Sequence, residues 1–182
     1  MSYVDSKRER SHLTARARRI VVGLDALGRS TFVSDGPTET RVVTDAYTIN
    51  QIWQAVVVPT PVMAENTLGD RVIIPVPPGG YNVDVTTFPP DSSWDYATGY
   101  AHALAEAGAG DSAGVGDAPG MHMTDTIDIV TVISGEIWTQ VETGETLMRP
   151  GDTLVLRGVK HAWRNRSDAD CTIAAFHISI VR

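Results

Sequence analysis

The chain has 182 residues, a formal net charge of −7 and a pI near 5.1. That acidic balance excludes a nucleic-acid binder, which needs concentrated basic surface, and a content of 42% hydrophobic and 20% charged residues excludes a disordered chain. The lone cysteine, Cys171, excludes an internal disulfide framework, and no apolar run reaches the roughly 18–20 residues of a membrane helix.

These bounds predict one cytoplasmic domain with a core large enough to fold without a disulfide or a structural metal. Met1 to Arg19 lacks the apolar stretch of a signal peptide. Residues 1–17 mix Ser, Arg, Lys and Glu without apolar periodicity and read as a polar N-terminal arm or tail, with the folded domain over 18–182.

From Arg18 the texture changes. The β-branched run Arg19 to Gly23, the turn residues Asp25 to Ser30 and the run Thr31 to Val33 predict a hairpin. Tyr47 to Val58 predicts a strand, and Arg71 to Pro75 is another short apolar run ahead of a Pro/Gly turn over 75–80. Tyr81, Val83 and Val85 alternate with Asn82, Asp84 and Thr86, the pattern of a half-buried strand. Residues 93–120 differ: Asp95 to Ala107 has helix formers, with Tyr96, Tyr100 and Leu104 at spacing four, and 108–120 is rich in glycine. This segment predicts a helical and Gly-rich insertion, either a lid over a pocket or a surface excursion. The C-terminal third is dense in short strands: 126–133, 136–141 with a turn over 142–145, 147–149, 153–156, 161–164 and 172–180. Short strands separated by turns argue an all-β fold, an antiparallel barrel or sandwich.

Within that third, His122, Thr124, Thr126 and Asp128 share parity, so on one strand they face one side, and Val130 and Val132 continue that face toward an apolar interior. A buried histidine and carboxylate need partners, because an unpaired buried charge is costly. His122 and Asp128 lie six residues apart, about 20 Å along a straight strand, so their convergence requires a bend.

Two stretches resemble the paired motifs of the cupin superfamily. The first reads Gly116, five residues, His122, Met123, Thr124, three residues, Asp128, six residues, Gly135. The second reads Pro150-Gly151-Asp152, a strand, then Gly158, two residues, His161, three residues, Asn165. Thr124 stands where the family has a second His, Asp128 where it has Glu, and Arg157 where Pro is usual. The resemblance covers residues 116–180 and implies a jelly-roll β-barrel. It further implies that His122, Asp128 and His161 converge inside the barrel as catalytic residues.

Two imidazoles and a carboxylate with open positions suit a divalent metal, Fe(II), Mn, Ni or Zn, and no organic cofactor is expected. The alternative is a metal-free cluster in which Asp128 hydrogen-bonds a histidine. Thr124, Thr126 and Trp163 are candidate substrate contacts, and Trp163 shares the parity of His161. His177 faces either the site, as a further substrate contact, or solvent, in a structural role. Arg157, Arg164 and His102 read as surface residues, Trp53 and Trp138 as core or interface aromatics, and Cys171 as a buried small hydrophobe.

The resemblance implies a small-molecule enzyme, with a metal-dependent oxygenase as the leading form. The alternatives are a metal-independent cupin working by His/Asp acid–base chemistry (an isomerase, dehydratase or decarboxylase) and a non-catalytic ligand-binding cupin. A homodimer is expected, with no nucleic-acid or membrane partner.

Overall fold

The computed structural model of the protein describes residues 11–182. Eleven strands and one α-helix are formed among these residues. A two-stranded hairpin, β1 (Arg18–Leu24) with β2 (Ser30–Pro37), leads into β3 (Arg41–Val43), β4 (Thr48–Ala55) and β5 (Tyr81–Phe88). The helix α1 (Tyr96–Glu106) follows, then β6 (Thr126–Ser134), β7 (Ile137–Val141), β8 (Gly144–Met148), β9 (Thr153–Arg157), β10 (Ala162–Arg164) and β11 (Cys171–Ser179). One sheet has the order β3-β4-β5-β11-β6-β9 and a second the order β10-β7-β8, with every pairing antiparallel. Val130, Val132 and Ile173 of the large sheet share one buried cluster with Ile137, Met148 and Trp163 of the small one, so the two sheets close around a common core. The architecture is the expected antiparallel jelly-roll barrel.

The period-2 pattern of β6 places Thr126, Asp128, Val130 and Val132 inside. Gly135 ends β6 at φ 73°, where a Cβ would lie 2.4 Å from the Asp170 carbonyl oxygen, so the turn into β7 requires glycine. In β5 the alternation runs opposite to a reading with apolar residues inside. Asn82, Asp84 and Thr86 are buried, while Tyr81, Val83 and Val85 are only partly covered on the outer face. Tyr81 and Trp53 there border a groove of about 600 Å³ shared with the β1–β2 hairpin.

The run over 71–75 is not a strand. Its backbone is satisfied by the Ile74 N–H donating to the Ala107 carbonyl at 2.9 Å and by side-chain amides: Gln51 Nε2 donates to the Ile73 carbonyl (2.9 Å) and Asn82 Nδ2 to the Ile74 carbonyl (3.2 Å). The insertion does contain its helix. Asp95 caps α1, its carboxylate accepting from the Ala97 and Thr98 amides. The spacing of four carries Tyr100 and Leu104 into the core, so α1 packs against the barrel's buried cluster. The expected arm over 1–17 falls partly outside the described residues. From residue 11 the chain is docked: His12 is buried, and its carbonyl accepts from Thr48 Oγ1 at 2.7 Å. No helix among the described residues is long and apolar enough to cross a membrane.

Candidate functional site

The site is built where the three central strands of the large sheet meet the two motif histidines. In β11, His177 pairs with Asp128 of β6 on one side, while Ala175 pairs with Asp84 of β5 on the other. His177 is therefore flanked by carboxylates from both neighbours. Its Nδ1 donates to Asp128 Oδ1 at 2.7 Å and its Nε2 to Asp84 Oδ2 at 3.0 Å. A ring that donates from both nitrogens is an imidazolium. Burial alone would lower the pKa of His177, but the two carboxylate hydrogen bonds and charges outweigh it and push it up to about 10. For Asp128, burial acts to raise the pKa, and the hydrogen bond and charge of His177 reverse that to a net lowering.

His122 and His161 form a second unit. Each lies in the approach to a strand, His122 ahead of β6 and His161 ahead of β10, and they pair by a two-residue bridge. The His122 N–H donates to the His161 carbonyl at 2.9 Å, and the His161 N–H to the His122 carbonyl at 3.0 Å. Their ring centroids are 4.4 Å apart. The β6 strand begins only at Thr126, so the chain turns between His122 and Asp128, as their convergence requires.

Both rings are locked in one tautomer. His122 Nδ1 lies 2.8 Å from the Gly120 carbonyl and His161 Nδ1 3.0 Å from the Val159 carbonyl. A carbonyl only accepts, so Nδ1 carries the hydrogen and Nε2 keeps its lone pair. Burial, then the neighbouring His161, lowers the pKa of His122 to about 3, and burial likewise lowers that of His161. The pair is neutral.

These groups line one cavity of about 60 Å³, walled on its apolar side by Tyr47, Phe88, Tyr100 and Trp163. Thr124 lines it too, its hydroxyl 2.7 Å from that of Thr126. Trp163 stands edge-on to His161, centroids 5.7 Å apart. His122, Asp128 and His161 thus line the same cavity, but Asp128 engages His177 rather than the histidine pair. No group of three or more His, Cys, Asp or Glu side chains arranged to hold a metal is found among the described residues. The three-ligand set expected from the sequence is not assembled here, because the carboxylate it needs is hydrogen-bonded to an imidazolium.

His177 belongs to the site and not to a structural role at the surface. Asp84 and Tyr47 escaped the sequence reading. For Asp84 the signal was present, in a carboxylate sharing parity with Asn82 and Thr86 on a strand whose other face is apolar. Residues 108–120 do not line the cavity, which takes Tyr100 and Leu104 from α1 instead. Asp117 of that loop accepts from Lys160 Nζ at 2.8 Å, and Lys160 directly precedes His161 in the chain. Arg164 is engaged by Asp91 at 2.6 Å and stacks over Tyr96, Cys171 is buried, and His102 is exposed, all away from the chemistry.

No family model matches the chain. It is 49% identical over 53 residues to Oryzines biosynthesis cluster protein J of Aspergillus oryzae, a match covering 29% of this chain and 30% of that protein. It is 43% identical over 56 residues to the cupin-domain-containing oxidoreductase srdB of Neurospora crassa, covering 28% of this chain and 29% of that protein. The matches therefore span less than a third of the length of these curated relatives. The chain has the antiparallel jelly-roll fold that its resemblance to the paired cupin motifs implies. Among solved structures, the chain is similar to ectoine synthase from P. lautus, with a TM-score of 0.43 and 12% identity over 79% of this chain and 72% of that one. It is also similar to a cupin domain from Bordetella pertussis, with a TM-score of 0.35 and 17% identity over 55% of this chain and 82% of that one.

Proposed function

We propose that this cupin is a small-molecule enzyme that moves protons inside its barrel. The observation that carries the reading is the matched tautomer of His122 and His161. Two neutral, buried imidazoles, each with an unprotonated Nε2, form a general base on the cavity wall. The substrate class is a small carbon acid, a compound with a C–H next to a carbonyl. Nε2 of one histidine takes that proton, the C–H electron pair moves into a new C=C bond, and the carbonyl oxygen takes the charge. The same imidazolium returns the proton to the α-carbon or to the enolate oxygen, or gives it to a group leaving from the β-carbon as the enolate pair forms the new double bond. The Asp84–His177–Asp128 clamp holds a net negative charge beside the pair, which favours the imidazolium formed during transfer.

A divalent metal is the second reading, favoured by the same two Nε2 lone pairs and by the carbonyls that orient both rings. The oxidoreductase name of the Neurospora relative points the same way. Two imidazoles give one protein ligand fewer than the three usual at catalytic sites, so the residues present do not complete a metal centre.

The test is deuterium exchange. Small ketones are incubated with the protein in D2O and their α-protons followed by NMR. Exchange accelerated by the wild type and lost in His122→Ala and His161→Ala supports the reading. Exchange no faster than in buffer overturns it. Stoichiometric metal in protein purified without chelator or affinity tag, with exchange lost on its removal, would replace it with the second reading.

A further inference from the structure

Tyr47 sits just before β4, is 2% exposed, and its hydroxyl has no hydrogen-bond partner. Its ring is fixed from two sides, edge-on to Phe88 at 6.1 Å and to Tyr100 at 5.9 Å between centroids. It lines the cavity that holds the histidine pair. A buried hydroxyl left unpaired is costly, and such groups are rare in folded proteins unless something outside the chain pairs with them.

The other polar groups on that wall are either engaged or are acceptors. Thr86 Oγ1 donates to Asp84 Oδ1 at 2.9 Å, and Thr124 is paired with Thr126. His177 gives both N–H groups to carboxylates. His122 and His161 offer only lone pairs. Tyr47 therefore adds a buried, unpaired O–H to the residues that wall a cavity already holding bases. Burial and the nearby Asp84 charge keep its phenol protonated. A carboxylate ligand would meet Asp84 and Asp128 at close range, and an ammonium ion would offer the Tyr47 hydroxyl no acceptor.

We propose that Tyr47 is the ligand-positioning donor of the cavity: its hydroxyl binds the carbonyl oxygen of an uncharged small molecule, with the carbon next to that carbonyl held against His122 and His161. The proposal rests on reading the cavity as a small-molecule site, and it names the donor that would hydrogen-bond the oxyanion as the proton leaves.

The experiment compares wild type with Tyr47→Phe using acetone, acetate and xenon, each followed by NMR titration, together with thermal melting of the free proteins. Acetone and acetate share a shape and differ in charge, while xenon reports only whether the cavity is intact. The expected result is acetone binding at least about fivefold weaker in Tyr47→Phe, xenon binding unchanged, weaker binding of acetate than of acetone by wild type, and a melting midpoint that is unchanged or raised. Equal acetone affinity in the two proteins overturns the proposal. A lowered midpoint with loss of xenon binding also overturns it, because the hydroxyl would then be structural. Acetone binding that depends on Tyr47 in a protein that fails to exchange α-protons would uphold Tyr47 and overturn proton transfer alone.

Discussion

His122 and His161 hold each other through two backbone hydrogen bonds, at 2.9 and 3.0 Å, across the seam between the two sheets. One introduces a strand of the large sheet and the other a strand of the small sheet, so closing the barrel and assembling the base pair are one event. Each ring then takes its tautomer from a carbonyl two residues before it.

The first prediction concerns the two histidines. His122→Ala and His161→Ala are each expected to remove α-proton exchange by about 100-fold or more, the usual scale of a lost general base. Both should remain folded, because the backbone bridge does not depend on the rings. Circular dichroism and exchange rates check this together.

The second concerns the clamp. Asp128→Asn or Asp84→Asn leaves a buried imidazolium with one carboxylate in place of two. Each should destabilise the protein by about 2–4 kcal/mol in denaturant unfolding. Each should also lower the pKa of His177. A change within about 0.5 kcal/mol would show that the clamp is not a buried ion pair.

The third follows from the opposed histidine shifts. Below pH 6.5 the unfolded chain takes up protons that His122, held at about 3, does not, so stability falls as the pH drops; the downward shift of His161 acts the same way. His177, raised to about 10, contributes fully below pH 6.5 and loses that contribution as the pH rises toward 10. Stability should peak near pH 6.5, and His177→Gln should flatten the alkaline limb. Calorimetry across pH 4–10 showing a steady rise to pH 9 would contradict this.

Much of this arrangement was legible in the residues. The parity of Asp128 with Val130 and Val132 placed one wall of the cavity, because a strand side chain has only two directions, whereas His122 lies ahead of β6 and reaches the cavity through its bridge to His161. The partner of Asp128 was not legible, since His177 lies 49 residues away and reaches it only through the β11–β6 register. Asp84 was hidden by a sound rule. Alternation normally buries the apolar set, but β5 has a second apolar surface, where Tyr81 lies 5.2 Å from Phe176 and faces the β1–β2 hairpin. Its polar set is then free to face the cavity.

A fourth prediction concerns that hairpin. Val22 and Phe32, paired across the hairpin, and Leu27 in its turn are exposed at 59%, 75% and 77%, on a two-stranded sheet not hydrogen-bonded to the two barrel sheets. We expect a second copy of the chain to cover them, as such clustered apolar surface commonly marks an interface. Sedimentation should give a dimer at micromolar concentration and a monomer for Phe32→Lys. A monomeric wild type would contradict the expectation.

A fifth is local. Gly135→Ala forces a Cβ to 2.4 Å from the Asp170 oxygen at a positive φ. A loss of about 2 kcal/mol or more is expected from thermal or denaturant unfolding.

The central claim is the protonation pattern of three rings, and long-range 15N–1H NMR of histidine side chains reads it directly. At pH 7.5 the account predicts His122 and His161 neutral with hydrogen on Nδ1 alone, and His177 protonated on both nitrogens. A neutral His177, or hydrogen on Nε2 of His122 or His161, would contradict it.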